Sequence, residues 1–107
     1  MVASISRLII RENELEAFVS HCEKVVLPRY QNATGILFVW LWHRPCIAYA
    51  DVQIVSIWRS REAIDQFFAA NPFTEIKHFQ EGVILPEDAS ACYQVLSWGI
   101  ASGMPPA

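Results

Sequence analysis

A chain of 107 residues, 53% hydrophobic and 18% charged with a formal net charge of −3, has the makings of one compact domain with its own core. Its eight lysines and arginines are scattered, so no basic stripe follows a phosphate backbone, and neither nucleic acid nor an anionic membrane surface is expected as a partner. The first residues lack the pattern of a secretory leader and no run is long enough to span a bilayer, which gives a cytoplasmic expectation. Cys22, Cys46 and Cys92 are odd in number and far apart, and read as reduced thiols rather than a disulfide framework or a zinc site.

Residues 2–10 are rich in β-branched and aliphatic side chains and read as a strand that ends at Arg11, Glu12, Asn13 and Glu14. A helix follows: Asn13 is placed to cap it, Glu16 stands three residues on, and Leu15, Phe18, Val19, Cys22, Val25 and Val26 recur at helical spacing. Pro28 has no amide for a continuing helix, so the helix is expected to end there and residues 29–34 to form a polar connection. Residues 35–43 form the most apolar run, with Ile36, Phe38, Trp40 and Trp42 on one face of a strand and Leu37, Val39 and Leu41 on the other. Arg44 and Pro45 are turn signals, and residues 52–58 supply the antiparallel partner of a hairpin.

At Ser60 the chain changes from strand to helix: the hydroxyl is placed to accept an amide of the first turn, and Glu62 sits near the positive end of the helix dipole. Ile64, Phe67 and Phe68 give that helix its apolar side. It is interrupted at Asn71 and Pro72 and continues with Phe73, Ile76 and Phe79 up to Gly82. Residues 86–90 read as a loop, 91–98 as a last strand and 99–107 as a loose tail after a single domain of residues 1–98.

The order strand, helix, strand, strand, helix, strand predicts the ferredoxin-like α+β arrangement, a four-stranded antiparallel sheet with two helices on one face. The hairpin strands are apolar on both sides, Trp40, Trp42 and Trp58 among them, yet two helices cover only one side. Each buried large apolar side chain is worth about 1.5–3 kcal/mol, so leaving several of them wet costs about as much as a small domain's whole stability. A second, identical sheet related by a two-fold axis is the simplest cover, and a homodimer through the open sheet face is expected.

The element order, the long hairpin and the run Trp58-Arg59-Ser60-Arg61-Glu62-Ala63-Ile64 followed by Phe67 resemble the dimeric α+β barrel superfamily, and within it the antibiotic biosynthesis monooxygenase family. That resemblance implies a cofactor-independent monooxygenase, in which a deprotonated phenol or quinol-type aromatic itself gives electrons to molecular oxygen. Such a protein excludes water, orients the ring and places a proton acceptor and a hydrogen-bond donor. No metal or other cofactor is implied. A non-catalytic barrel that binds a small apolar ligand is the alternative.

His78 is the candidate base, on the second helix beside Ile76 and Phe79. Ser6, Phe38, Trp40, Trp58 and Phe67 are candidate substrate-binding residues, and Ser4, Arg7 and Tyr93 are further polar candidates, whereas His43 reads as a surface cap of the hairpin and His21 as a flank residue of the first helix. The related small haem-degrading monooxygenases resemble the chain as well. Aligned through Trp58, Ser6 stands at their asparagine, Phe67 at their tryptophan, and His78 one residue beyond their histidine, with Lys77 in its place. One residue turns a helix by about 100°, which disfavours haem.

Overall fold

The structure, a computed structural model, describes residues 1–79, 90–97 and 99. Strand β1 (Val2–Arg11) is followed by α1 (Leu15–His21), a π turn (Cys22–Val26) and α2 (Leu27–Gln31). The hairpin β2 (Ile36–Pro45) and β3 (Tyr49–Trp58) comes next, then α3 (Arg61–Ala70), a 3-10 segment (Thr74–Phe79) and β4 (Ser90–Gln94). The four strands form one sheet in the order β2-β3-β1-β4, and every pairing is antiparallel. This is the expected ferredoxin-like α+β topology.

The register decides which side chains meet the helices. Leu8 pairs with Val52 and Ile10 with Ala50, and all four belong to the core with Phe18, Cys22, Val26, Tyr30, Trp58 and Phe67. The odd-numbered residues of β1 and β3 therefore point to the opposite, open face. In β2 the pairing jumps between Ile36 and Phe38, so that the bulge at Leu37 turns Ile36 away from the tryptophans. Ile36 packs on the helix-side core with Val39 and Leu41, whereas the sequence pattern had placed it with Phe38.

Ser60 caps α3 as expected, its Oγ accepting the Ala63 N–H at 3.2 Å. Asn13 does not cap: the chain enters α1 through a 3-10 turn (Glu12–Glu14), and neither makes a side-chain cap bond. Pro28 does not end the first helix either. The Leu27 N–H reaches back to the Cys22 carbonyl, a π-type bond that inserts one residue just ahead of the proline, and Pro28 then begins α2, where a missing amide costs nothing. The helix thus runs to Gln31 and carries Tyr30 into the core.

The hairpin strands also extend further than expected. Arg44 and Pro45 lie within β2, which is possible because β2 is a sheet edge, where proline's lack of a donor is harmless. The reversal falls at Cys46, Ile47 and Ala48, with Ala48 at φ 68. β4 stops at Gln94 rather than running to Trp98. The expected helix stop at Gly82 and most of the loop and tail lie outside the described residues.

Gly35 joins these parts tightly. It has φ +86, and a Cβ there would lie 2.8 Å from the Ala63 Cβ, while its carbonyl accepts the Arg59 N–H at 2.9 Å. Gly35→Ala is expected to cost about 2–5 kcal/mol, from left-handed backbone strain plus the overlap with α3. Adding Ala63→Gly should return only the overlap, which urea melts of the two variants will separate.

Candidate functional site

Between sheet and helices the core is mostly filled. Trp58, fully buried, has its ring centre 5.1 Å from Phe67 and 6.2 Å from Tyr30. Its Nε1–H donates to Ser56 Oγ at 2.7 Å, and Ser56 Oγ in turn donates to the Ser4 carbonyl at 3.4 Å. A cavity of about 190 Å³ remains beside this packing, walled by Ser6, Leu8, Tyr30, Phe68, Phe73 and Ile76 among others. Five of those six walls are apolar or aromatic, and the polar atoms are the hydroxyls of Ser6 and Tyr30. Burial pushes the Tyr30 phenol above its ordinary range, and hydrogen bonding with the Ser6 side chain offsets part of that rise. Tyr30 therefore stays protonated at neutral pH, which leaves it a hydrogen-bonding group rather than a base.

The Cys22 thiol, behind Tyr30 on the same helix face, is likewise raised from 9.0, by burial first and by the nearby Glu23 charge second. Both groups are held neutral in the folded chain while the unfolded chain ionises near 9.0 and 10.0. Their contribution to stability is thus complete below the unfolded values and is lost as pH rises through the folded ones. Urea midpoints should fall progressively above about pH 9, and Tyr30→Phe should flatten the part of that fall above about pH 10.

The site residues expected from sequence fall on both sides of the sheet. Ser6 borders the cavity, while Trp58 and Phe67 are core residues next to it. Phe38 and Trp40 stand on the open face instead, paired with Ile57 and Val55, and Phe38 is 65% exposed. His78 is exposed; its ring lies edge-on to Phe79 at 5.4 Å, its carbonyl accepts Arg11 Nη2 at 2.8 Å, and it is not among the cavity's walls. His21 sits 3.7 Å from Glu75 and 5.7 Å from the Phe79 ring. Tyr30 and Phe73 were missed. The signal for Tyr30 was present in the spacing Phe18, Cys22, Val26, Tyr30, a stripe of fourfold steps that runs past Pro28.

The open face has its own character. Arg7 Nε and Nη2 hold both carboxylate oxygens of the buried Asp51 at 3.0 and 3.1 Å, and Arg44 Nη2 reaches Asp51 Oδ2 at 3.4 Å. This ties β1, β3 and β2 together through one carboxylate. A groove of about 710 Å³ runs along these residues, Trp42 and Gln53, and Trp42 Nε1–H donates to Gln53 Oε1 at 2.7 Å. Among the described residues no group of three or more His, Cys, Asp or Glu is placed to hold a metal ion, and no helix is long and apolar enough to cross a membrane.

No protein-family model matches this chain, and no curated protein matches it in sequence. Solved structures do match. HapK from Hahella chejuensis superposes with a TM-score of 0.72 at 16% identity, covering 96% of this chain and 100% of that one. A putative antibiotic biosynthesis monooxygenase from Nitrosomonas europaea gives 0.70 at 9% identity, covering 91% and 100%. SnoaB from Streptomyces nogalater, a cofactor-independent oxygenase in its N63A form, gives 0.68 at 13% identity, covering 91% and 94%. The strand order, the helices on one face and these superpositions agree: this chain has the α+β barrel fold of the antibiotic biosynthesis monooxygenases.

Proposed function

We propose that this protein is a cofactor-independent monooxygenase acting on a small phenol or quinol-type aromatic, and that it works as a homodimer through the open sheet face. The observation that carries the reading is the pairing of two hydroxyls, Ser6 and Tyr30, at one wall of an otherwise apolar and aromatic cavity. A phenol fits such a place ring first: Phe68 and Phe73 enclose the ring, and Ser6 and Tyr30 meet its oxygen. The phenol gives up its proton to solvent water at the mouth of the cavity and reacts as the phenolate; donation from the protonated Tyr30 hydroxyl stabilises that anion, and the apolar walls keep water from the carbanion-like ring carbon. For a phenol with a free para position the balance is one oxygen atom into the ring and the other released as water. The substrate then supplies all four electrons and leaves as the quinone.

Similarity of fold to SnoaB, itself a cofactor-independent oxygenase, supports the reaction class. The open face supports the dimer: Phe38, Trp42, Tyr49 and Tyr93 are large, apolar and exposed there in the single subunit, more than a solitary small domain keeps wet without a partner. The test is oxygen uptake with a panel of phenols and hydroquinones. Tyr30→Phe, which keeps the ring and removes the donor, is expected to lower kcat/KM about 10²-fold, the usual effect of losing one donor to a developing oxyanion. Uptake that is absent with every substrate, while ligands still bind, would leave the protein as a non-catalytic binder.

A further inference from the structure

The cavity has one wall unlike the others. Ser6 and Leu8 belong to the inner strand β1 and Tyr30 to α2, but Phe73 and Ile76 come from residues 71–79, the described stretch that follows α3. Separable contacts hold it down. Asn71 closes α3 by donating its N–H and its Nδ2–H to the Phe67 carbonyl at 2.9 and 3.0 Å. Glu75 meets Arg29 at 3.5 Å and His21 at 3.7 Å, and the Phe79 ring packs edge-on against Phe18 at 5.5 Å.

Phe73 itself has φ 51, a region where a bulky side chain is strained and persists only because its surroundings hold it. Those surroundings are the Tyr30 ring, stacked at 5.7 Å and 6°, and the Arg29 guanidinium 5.5 Å from the ring centre. An apolar cavity of roughly 150 Å³ takes one benzene ring. At about 190 Å³ the present one, which opens to solvent, takes a single ring with its substituents, and Phe73 is one of the side chains that bound the space for a second, fused ring.

We propose that Phe73 decides which aromatics enter: the site accepts single-ring phenols and rejects fused two-ring ones, and residues 71–79 are the wall that moves to admit them. This rests on the cavity being the site of an aromatic substrate, as argued above, and not on the oxidation itself. Strain at Phe73 and the ionic hold through Glu75 lie two residues apart in this wall, so the segment opens by releasing the latch and relaxing the backbone beside it.

Calorimetric titration under nitrogen, where no oxidation intervenes, compares phenol with 1-naphthol on the full chain. The unaltered protein is expected to bind phenol about 10-fold more tightly or better, and Phe73→Gly, which removes the ring and suits the positive φ, to bring the two within about 3-fold. Phe73→Asn, also at ease at positive φ, serves the same purpose should the glycine variant not fold. Glu75→Gln leaves the lining intact and is expected to keep the preference while speeding phenol association and dissociation about 3-fold in stopped-flow fluorescence. Equal binding of the two rings by the unaltered protein, an unchanged preference in the Phe73 variants, or no binding of either ring overturns Phe73 as the limit. Unchanged rates in Glu75→Gln overturn the moving wall. Oxygen uptake is read separately: uptake with phenol but no altered preference sinks the gate alone, and an altered preference without uptake sinks the monooxygenase alone.

Discussion

Trp58→Ala is expected to remove about 4–8 kcal/mol of stability, a large share of what a small domain has. Removing a fully buried tryptophan costs about 3–5 kcal/mol through lost transfer energy and the void left behind. The void would lie where the rings of Phe67 and Tyr30 now meet Trp58, so the main aromatic cluster under the helices loses its centre. The lost Nε1–H leaves Ser56 Oγ, itself buried, without its donor, a further cost of about 1–3 kcal/mol. Domains of this size have about 5–15 kcal/mol in all. Trp58→Phe keeps most of the volume and loses only the hydrogen bond, so it should remain folded with a lowered midpoint. Far-UV circular dichroism and urea melts of the two variants check this, and a Trp58→Ala midpoint within about 1 M urea of the unaltered protein would contradict the role given to Trp58.

The same residue shows what could be read in advance. Trp58 and Ser60 sit at a strand-to-helix junction whose signals are local: an apolar alternation, a hydroxyl at the cap position and an acid in the first turn. Local signals of that kind survive folding, and the cap forms as expected. Pro28 shows the opposite case. Its local rule, that proline ends a helix, was overridden by a one-residue π insertion, and everything beyond the proline was then assigned to a connection. Tyr30 was lost with it, and with Tyr30 the polar end of the cavity.

The division of the expected site between two faces has a different cause. Phe38, Trp40 and Trp58 are all even-numbered, and alternation within a strand is visible in sequence. Which parity of β2 shares a face with which parity of β3 depends on the hairpin register. Trp40 pairs with Val55 and Trp42 with Gln53, so even residues of β2 share a face with odd residues of β3, and Trp58 lies on the other side of the sheet from Trp40. The bulge at Leu37 reverses parity once more for Ile36. Neither the loop at Cys46, Ile47 and Ala48 nor that bulge carries a glycine or other residue that would have announced it. Phe73 was assigned to a restarted helix for the same kind of reason: a positive φ at phenylalanine is imposed by Tyr30 and Arg29 from outside, and no local preference encodes it.

Phe38→Asp is expected to separate the proposed dimer while leaving the subunit folded. Phe38 is 65% exposed in the single chain and lies on the edge strand of the open face, paired with Ile57, so a carboxylate there disturbs little in the isolated subunit. In a two-fold assembly every substitution is made twice. Burial of each phenylalanine is worth about 1.5–3 kcal/mol, so the pair amounts to about 3–6 kcal/mol, or about 10²–10⁴ in the dissociation constant. Two added carboxylates brought out of water on one interface push in the same direction. The ion pairs of Arg7, Arg44 and Asp51 lie on the same face towards the hairpin turn but form within one subunit, so they do not themselves require a second copy. Sedimentation velocity at micromolar concentration reads the outcome, with circular dichroism to confirm the fold. Retention of the dimer in Phe38→Asp would move the contact off this face, whereas a folded monomer already in the unaltered protein would mean that Phe38 and Trp42 face water and that the barrel is not closed by a twin.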